Sequence, residues 1–145
     1  MEQGPRCIAW GGGLKEILDT RFFFEHFASS EPATREKTRN KLRELRRNGD
    51  GILPTVVLAE LVDHTCRRAG RNEARQVSES LLVSGLLIHS LTPAIAVIAG
   101  GLKCSHRDVP LADCVIAATA INAGGKVVTN DPHFMRFKQI KLTWI

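Results

Sequence analysis

The chain has 145 residues, 43% hydrophobic and 24% charged, a profile that excludes a largely disordered protein and fits one folded domain. Twenty Lys and Arg against fifteen Asp and Glu leave a net charge of +5, which moves RNA or DNA up the list of partners. No apolar run reaches the roughly 18 residues that span a bilayer, and Ile8-Ala9-Trp10 runs into three glycines rather than a secretory core, so the expectation is a cytoplasmic protein that makes no membrane contact.

Residues 1–13 carry Gly4, Pro5 and Gly11 to Gly13 and read as an irregular extension ahead of one domain over 14–145. Ile17-Leu18 is a short strand, and Phe22, Phe23 and Phe27 then recur at helical spacing. A charged helix over 33–47 stops at Asn48-Gly49. Ile52-Leu53 is a second strand, with Thr55 placed to cap a helix bearing Val57, Leu58, Leu61 and Val62. Asn72 is the expected cap of a helix ending near Gly85, ahead of a third strand over 86–89. Pro93 opens an apolar helix, and Pro110 takes a first helical position in another that Gly124 ends. Val127-Val128-Thr129 is a fourth strand and 140–143 a fifth. Strands alternating with helices predict a twisted, mostly parallel sheet of about four to five strands, with helices on both faces.

Ligands of open α/β sheets gather beyond the carboxyl ends of the strands, and four acids fall there. Asp19 follows the first strand directly, and Glu60 lies in the opening turns of the helix after the second. Asp113 sits in the first turn after Pro110, and Asp131 comes just past the fourth strand. Four converging carboxylates repel one another unless a hard cation neutralises them, which points to Mg²⁺ or Mn²⁺ and to phosphodiester chemistry. Each acid also has a structural explanation: Asp19 and Asp131 are good helix caps. Glu60 and Asp113 are harder to explain that way, because an acid among apolar neighbours is rarely buried without a partner.

The same residues carry a resemblance. The runs Leu18-Asp19-Thr20, Pro54-Thr55-Val56-Val57-Leu58-Ala59-Glu60-Leu61, Val109-Pro110-Leu111-Ala112-Asp113-Cys114-Val115-Ile116-Ala117-Ala118-Thr119 and Val128-Thr129-Asn130-Asp131-Pro132-His133-Phe134 resemble, in that order, the pattern of the PIN-domain family. The resemblance implies a three-layer α/β/α domain and a metal-dependent endoribonuclease. For a chain this short it further implies a VapC-type toxin held by a VapB-like antitoxin, often as a homodimer. It matches Asp19, Glu60, Asp113 and Asp131 to the acidic quartet, and Thr129 to a supporting hydroxyl beside the last acid. Residues 1–13 and the Arg21-Phe22-Phe23-Phe24 run depart from the pattern. Housekeeping RNA processing and a non-catalytic RNA-binding module stand as alternatives. A receiver-type signalling domain is disfavoured, because Asp19-Thr20 lacks the paired acids it needs.

Residues 35–47 hold seven basic and two acidic side chains. Arg39, Arg43 and Arg46 among them either track an RNA backbone or form a solvated helix face. Arg67, Arg68, Arg71 and Arg75 make a weaker patch. Arg21 reads as solvent-facing, or as a partner to a carboxylate or phosphate. His64, one turn beyond Glu60, and Asp63 are possible neighbours of the site, Asp108 reads as a helix-start residue, and His106 and His133 carry little signal. The phenylalanines of 22–27 with the apolar helix at Ile95 exceed one small core, leaving a dimer face or antitoxin groove as an alternative to packing. Among Cys7, Cys66, Cys104 and Cys114 there is no C-x-x-C pair. Cys66 and Cys114 read as buried thiols, with a disulfide left open.

Overall fold

A computed structural model describes residues 13–145. The expected extension thus lies, apart from Gly13, outside the described residues. Five parallel strands, β1 (Glu16–Leu18), β2 (Gly51–Pro54), β3 (Leu87–His89), β4 (Lys126–Thr129) and β5 (Lys141–Trp144), form one sheet in the order β3-β2-β1-β4-β5. Helices α1 (Thr20–Ala28) and α2 (Pro32–Asn48) connect β1 to β2, and α3 (Thr55–Ala69) and α4 (Arg71–Leu82) connect β2 to β3. Helices α5 (Pro93–Ser105) and α6 (Leu111–Ala123) carry the chain from β3 across to β4. The first two connections run one way along the sheet and the third runs the other. Right-handed crossovers therefore put α5 and α6 on the face opposite the other four helices.

Being covered on both faces, the central strands are apolar without alternation: Ile17, Leu18, Ile52, Leu53, Val127 and Val128 are all fully buried. Helix α6 is sealed almost all round from Asp113 to Ala120, as a run rich in Ala, Val and Ile requires. Of the phenylalanines, Phe22 and Phe23 are core residues, Phe24 is partly buried and Phe27 is about half exposed (49%). The expected apolar surplus is therefore smaller than the sequence suggested. Cys114 is buried, Cys66 half-buried and Cys104 exposed, and all three are free thiols.

Three helix starts differ from expectation. Thr55 is the first residue of α3 and makes no capping bond, because extended Pro54 occupies the cap position. Asn72 lies inside α4: the cap is Gly70, whose φ of 93° lets a single residue end α3 and begin α4, leaving no place for a side-chain cap. Pro110 is itself the cap of α6, one position earlier than expected. The predicted third and fifth strands shift by one residue, and the helix expected to reach Gly85 ends at Leu82. Close approach explains Gly125, where a Cβ would stand 2.4 Å from the Lys15 carbonyl oxygen beside β1.

Candidate active site

Chain order turns back at β1: β2 and β3 extend the sheet to one side, β4 and β5 to the other. The carboxyl ends of β1 and β4 flank this switch point, where open α/β sheets leave a crevice. An open cleft of about 260 Å³ lies there, lined by Asp19, Glu60, Asp113 and Asp131 together with Thr20 and His133. The structure thus brings all four sequence-predicted acids to one place.

Each acid is aimed by its own element. Asp19 follows β1 and caps α1, with Oδ1 accepting the Thr20 N–H at 2.7 Å. Its Oδ2 accepts the Thr129 hydroxyl at 2.7 Å, and the Thr129 oxygen in turn accepts the Asp131 N–H at 2.8 Å. Asp131 caps a short 3-10 helix over Pro132–Arg136, accepting the His133 N–H at 2.9 Å. Glu60, in the second turn of α3, accepts the Thr20 hydroxyl at 2.7 Å. Asp113 projects from the first turn of α6 toward the His133 ring, whose Nδ1 lies 3.3 Å from Asp113 Oδ2 and 3.2 Å from Asp131 Oδ1. Thr20 and His133 were missed by the sequence reading. Thr20 had a local signal, as a hydroxyl residue directly after the first acid, whereas His133 depends on the turn that folds the chain back beyond β4.

The electrostatics are those of unbalanced negative charge. Among the described residues, no Lys or Arg side chain is bonded to any of the four acids. Burial pushes the Asp19 carboxyl up to about 6; hydrogen bonds from Thr129, Thr20 and Arg21 oppose this, and the Asp131 charge adds to it. Burial also lifts Asp113, up to about 7, reinforced by Asp19, Asp131 and Glu60 and opposed by His133. The carboxylate oxygens, with room for water among them, fit a hard divalent ion.

The neighbouring polar residues sort themselves. Arg21 lines the cleft rim, and its Nε donates to Asn130 Oδ1 at 3.2 Å. His64 packs its ring on Phe24 at 4.3 Å. Asp63 is exposed and pairs with Arg67 at 2.7 Å, so it stands outside the site. Asp108 holds the Arg136 guanidinium with both oxygens rather than starting α6. On α2, Arg39, Arg43 and Arg46 are exposed. The charges of Arg39 and Arg46 reach His26 on α1, where they reinforce burial in holding its imidazole below the usual range. Arg46 also lies against Gly85 ahead of β3, at the edge of the sheet away from the cleft. An apolar hollow of about 190 Å³ opens between α1, α3 and α4, lined by Phe27, Leu61 and Val77 and sharing Phe24 with the cleft.

A five-stranded parallel sheet between helix layers, with carboxylates gathered at its switch point, defines an α/β/α domain built around an acidic cleft. The chain belongs to the PIN-domain family, whose model matches residues 17–140. Among solved structures, it is similar to a chain of VapBC2 from Rickettsia felis bound to a DNA fragment from their promoter. The TM-score is 0.75 at 20% identity, over 91% of this chain and 99% of that one. DNA-bound VapBC from Salmonella typhimurium gives 0.72 at 22% identity, over 91% and 98%. VapC20 from Mycobacterium tuberculosis, described as a toxin that cleaves the sarcin-ricin loop, gives 0.66 at 16% identity, over 88% and 99%. At these identities the likeness is one of fold. Among curated proteins no match is found. No helix of the described residues is long and apolar enough to cross a membrane.

Proposed function

We propose that this chain is a divalent-cation-dependent endoribonuclease, the toxin of a VapBC-type pair. The observation that carries this reading is the convergence of Asp19, Glu60, Asp113 and Asp131 on one cleft with, among the described residues, no Lys or Arg side chain bonded to them. Asp19, Glu60, Asp113 and Asp131 would hold the ion, Mg²⁺ or Mn²⁺. A bound divalent cation supplies the positive charge that activates water and steadies the anionic phosphodiester. The protein's own part is orientation. Thr129 fixes Asp19 and Asp131 relative to each other, and Thr20 fixes Glu60. The Arg21 guanidinium on the rim can meet a phosphate oxygen that the carboxylates would otherwise repel. Arg39, Arg43 and Arg46 on α2 would serve an RNA whose strand runs on past the cleft, since Lys41 among them pairs with Glu16 at the amino end of β1.

A VapB-like antitoxin fits the surface beside the cleft. The hollow around Phe24 and Phe27 offers an apolar seat from which a segment could cross into the acids. A homodimer is the expected assembly, and exposed Val97 on α5 (77%) is a candidate contact.

The test is cleavage of end-labelled RNA with Mg²⁺ or Mn²⁺ and with chelator. Asp19→Asn and Asp113→Asn should each lower the rate at least about 100-fold, more than is usual for residues that only support ligands, with an unchanged circular dichroism spectrum. Undiminished cleavage by both variants would falsify the site.

A further inference from the structure

His133 follows the last acid by two residues and points its ring back into the cleft. We propose that His133 Nδ1 is itself a ligand to the bound ion, and that this nitrogen turns the centre away from Mg²⁺ and toward first-row transition ions such as Mn²⁺. The proposal rests on the reading of the cleft as a metal centre.

Three observations support it. One donor atom from each of Asp113, Asp131 and His133 can be chosen so that all lie within 4.8 Å of one another. The two nitrogen-to-oxygen separations, 3.2 and 3.3 Å, are close to the spacing of adjacent ligands on an octahedral ion. Bonds of about 2.0–2.1 Å at a right angle set such neighbours roughly 2.9 Å apart, and slightly longer bonds set them wider. The backbone that carries the ring is also held in place. Pro132 fixes the backbone, and the His133 N–H is bound at 2.9 Å by Asp131, so residue and cap share one rigid turn.

Ligand chemistry gives the selectivity. Mg²⁺ takes oxygen donors and gives up water reluctantly, whereas imidazole binds transition ions well. A site of carboxylates alone would discriminate little between Mg²⁺ and Mn²⁺, and one imidazole shifts the balance. A protonated imidazole paired with the two carboxylates would give the same distances, so the test must see the nitrogen–metal bond.

That bond is visible in pulsed electron paramagnetic resonance of the Mn²⁺-loaded protein. Wild type should show a ¹⁴N coupling that becomes a ¹⁵N coupling when histidine is ¹⁵N-labelled, and His133→Gln should lose it. Titrations should show Mn²⁺ affinity falling about tenfold in His133→Gln, while Mg²⁺ affinity changes less than about twofold. Mn²⁺ bound without nitrogen coupling, or equal losses for both ions, would overturn the proposal and leave the metal centre standing. Failure of wild type to bind Mn²⁺ at all would remove that centre, and the proposal with it.

Discussion

Strand β1 has a buried carboxylate at each end, and the two are treated in opposite ways. At the amino end, Glu16 is met by Lys41 at 3.1 Å and Lys126 at 3.5 Å, and neighbouring Asp50 by Lys15 at 2.9 Å. At the carboxyl end, Asp19 receives only a hydroxyl and amide N–H groups, and its near neighbours include Asp131 and Asp113. Burial is similar, with Glu16 4% and Asp19 2% exposed. The chain therefore neutralises a buried acid with lysine where structure alone is served. Hydroxyls and amides orient lone pairs but bring no net positive charge, so the carboxyl end is ordered and left electrically incomplete.

The comparison breaks most visibly through the amino end. Lys15→Met leaves the Asp50 carboxylate buried without its cation and should cost about 3–5 kcal/mol, read as a lower urea midpoint. Asp19→Asn keeps a capping side chain at α1 and should leave apo stability unchanged or raised. Equal losses in the two variants would show that both ends are structural pairs.

A smaller effect should appear with pH. Asp19 and Asp113 have folded-state pKa values raised to about 6 and about 7. The native state therefore holds their protons more tightly than the unfolded chain does. Their contribution is fully present below the unfolded value near 3.8 and is lost as pH rises through about 6 and 7. In chelator, the wild-type Tm should fall by roughly 5 °C between pH 5 and 8 relative to the Asp19→Asn/Asp113→Asn double variant. Millimolar Mn²⁺ at pH 8 should restore it. Parallel pH profiles for the two proteins would count against repulsion in the cleft.

The smallest effect sharpens the role of the hydroxyls. Thr20→Val should lower metal-supported cleavage about tenfold, as loss of a ligand-orienting partner usually does. The apo melting curve should move little, because half-buried Glu60 can turn to water. An unchanged rate would mean that Glu60 needs no positioning.

Much of this was legible in the sequence because it rests on chain punctuation. Apolar pairs such as Ile52-Leu53 mark strands buried on both faces, and acids just past them must lie at the sheet's carboxyl edge. Asp19 and Asp131 were found this way, Glu60 and Asp113 from their places in the opening turns of helices, and Thr129 was supplied by the family resemblance. What stayed hidden depends on side-chain direction or on a turn. His133 gains its place only because the 3-10 turn folds back toward α6. The expected caps at Thr55 and Asn72 failed because extended Pro54 and left-handed Gly70 had taken those positions. Asp63 looked close to the site on the helix, yet its partner is Arg67 one turn on.

The hydrogen bond from Thr129 to Asp19 joins residues 110 positions apart, and this separation sets a clock. A ribosome extending the chain at about 5–20 residues per second takes on the order of ten seconds to pass from Asp19 to Asp131. For most of that interval β1 has no β4 beside it, and the acids that β1 and α3 carry wait first for Asp113 on α6 and last for Asp131. The four acids of the cleft thus come together only after the whole span from β1 to the turn beyond β4 has been made.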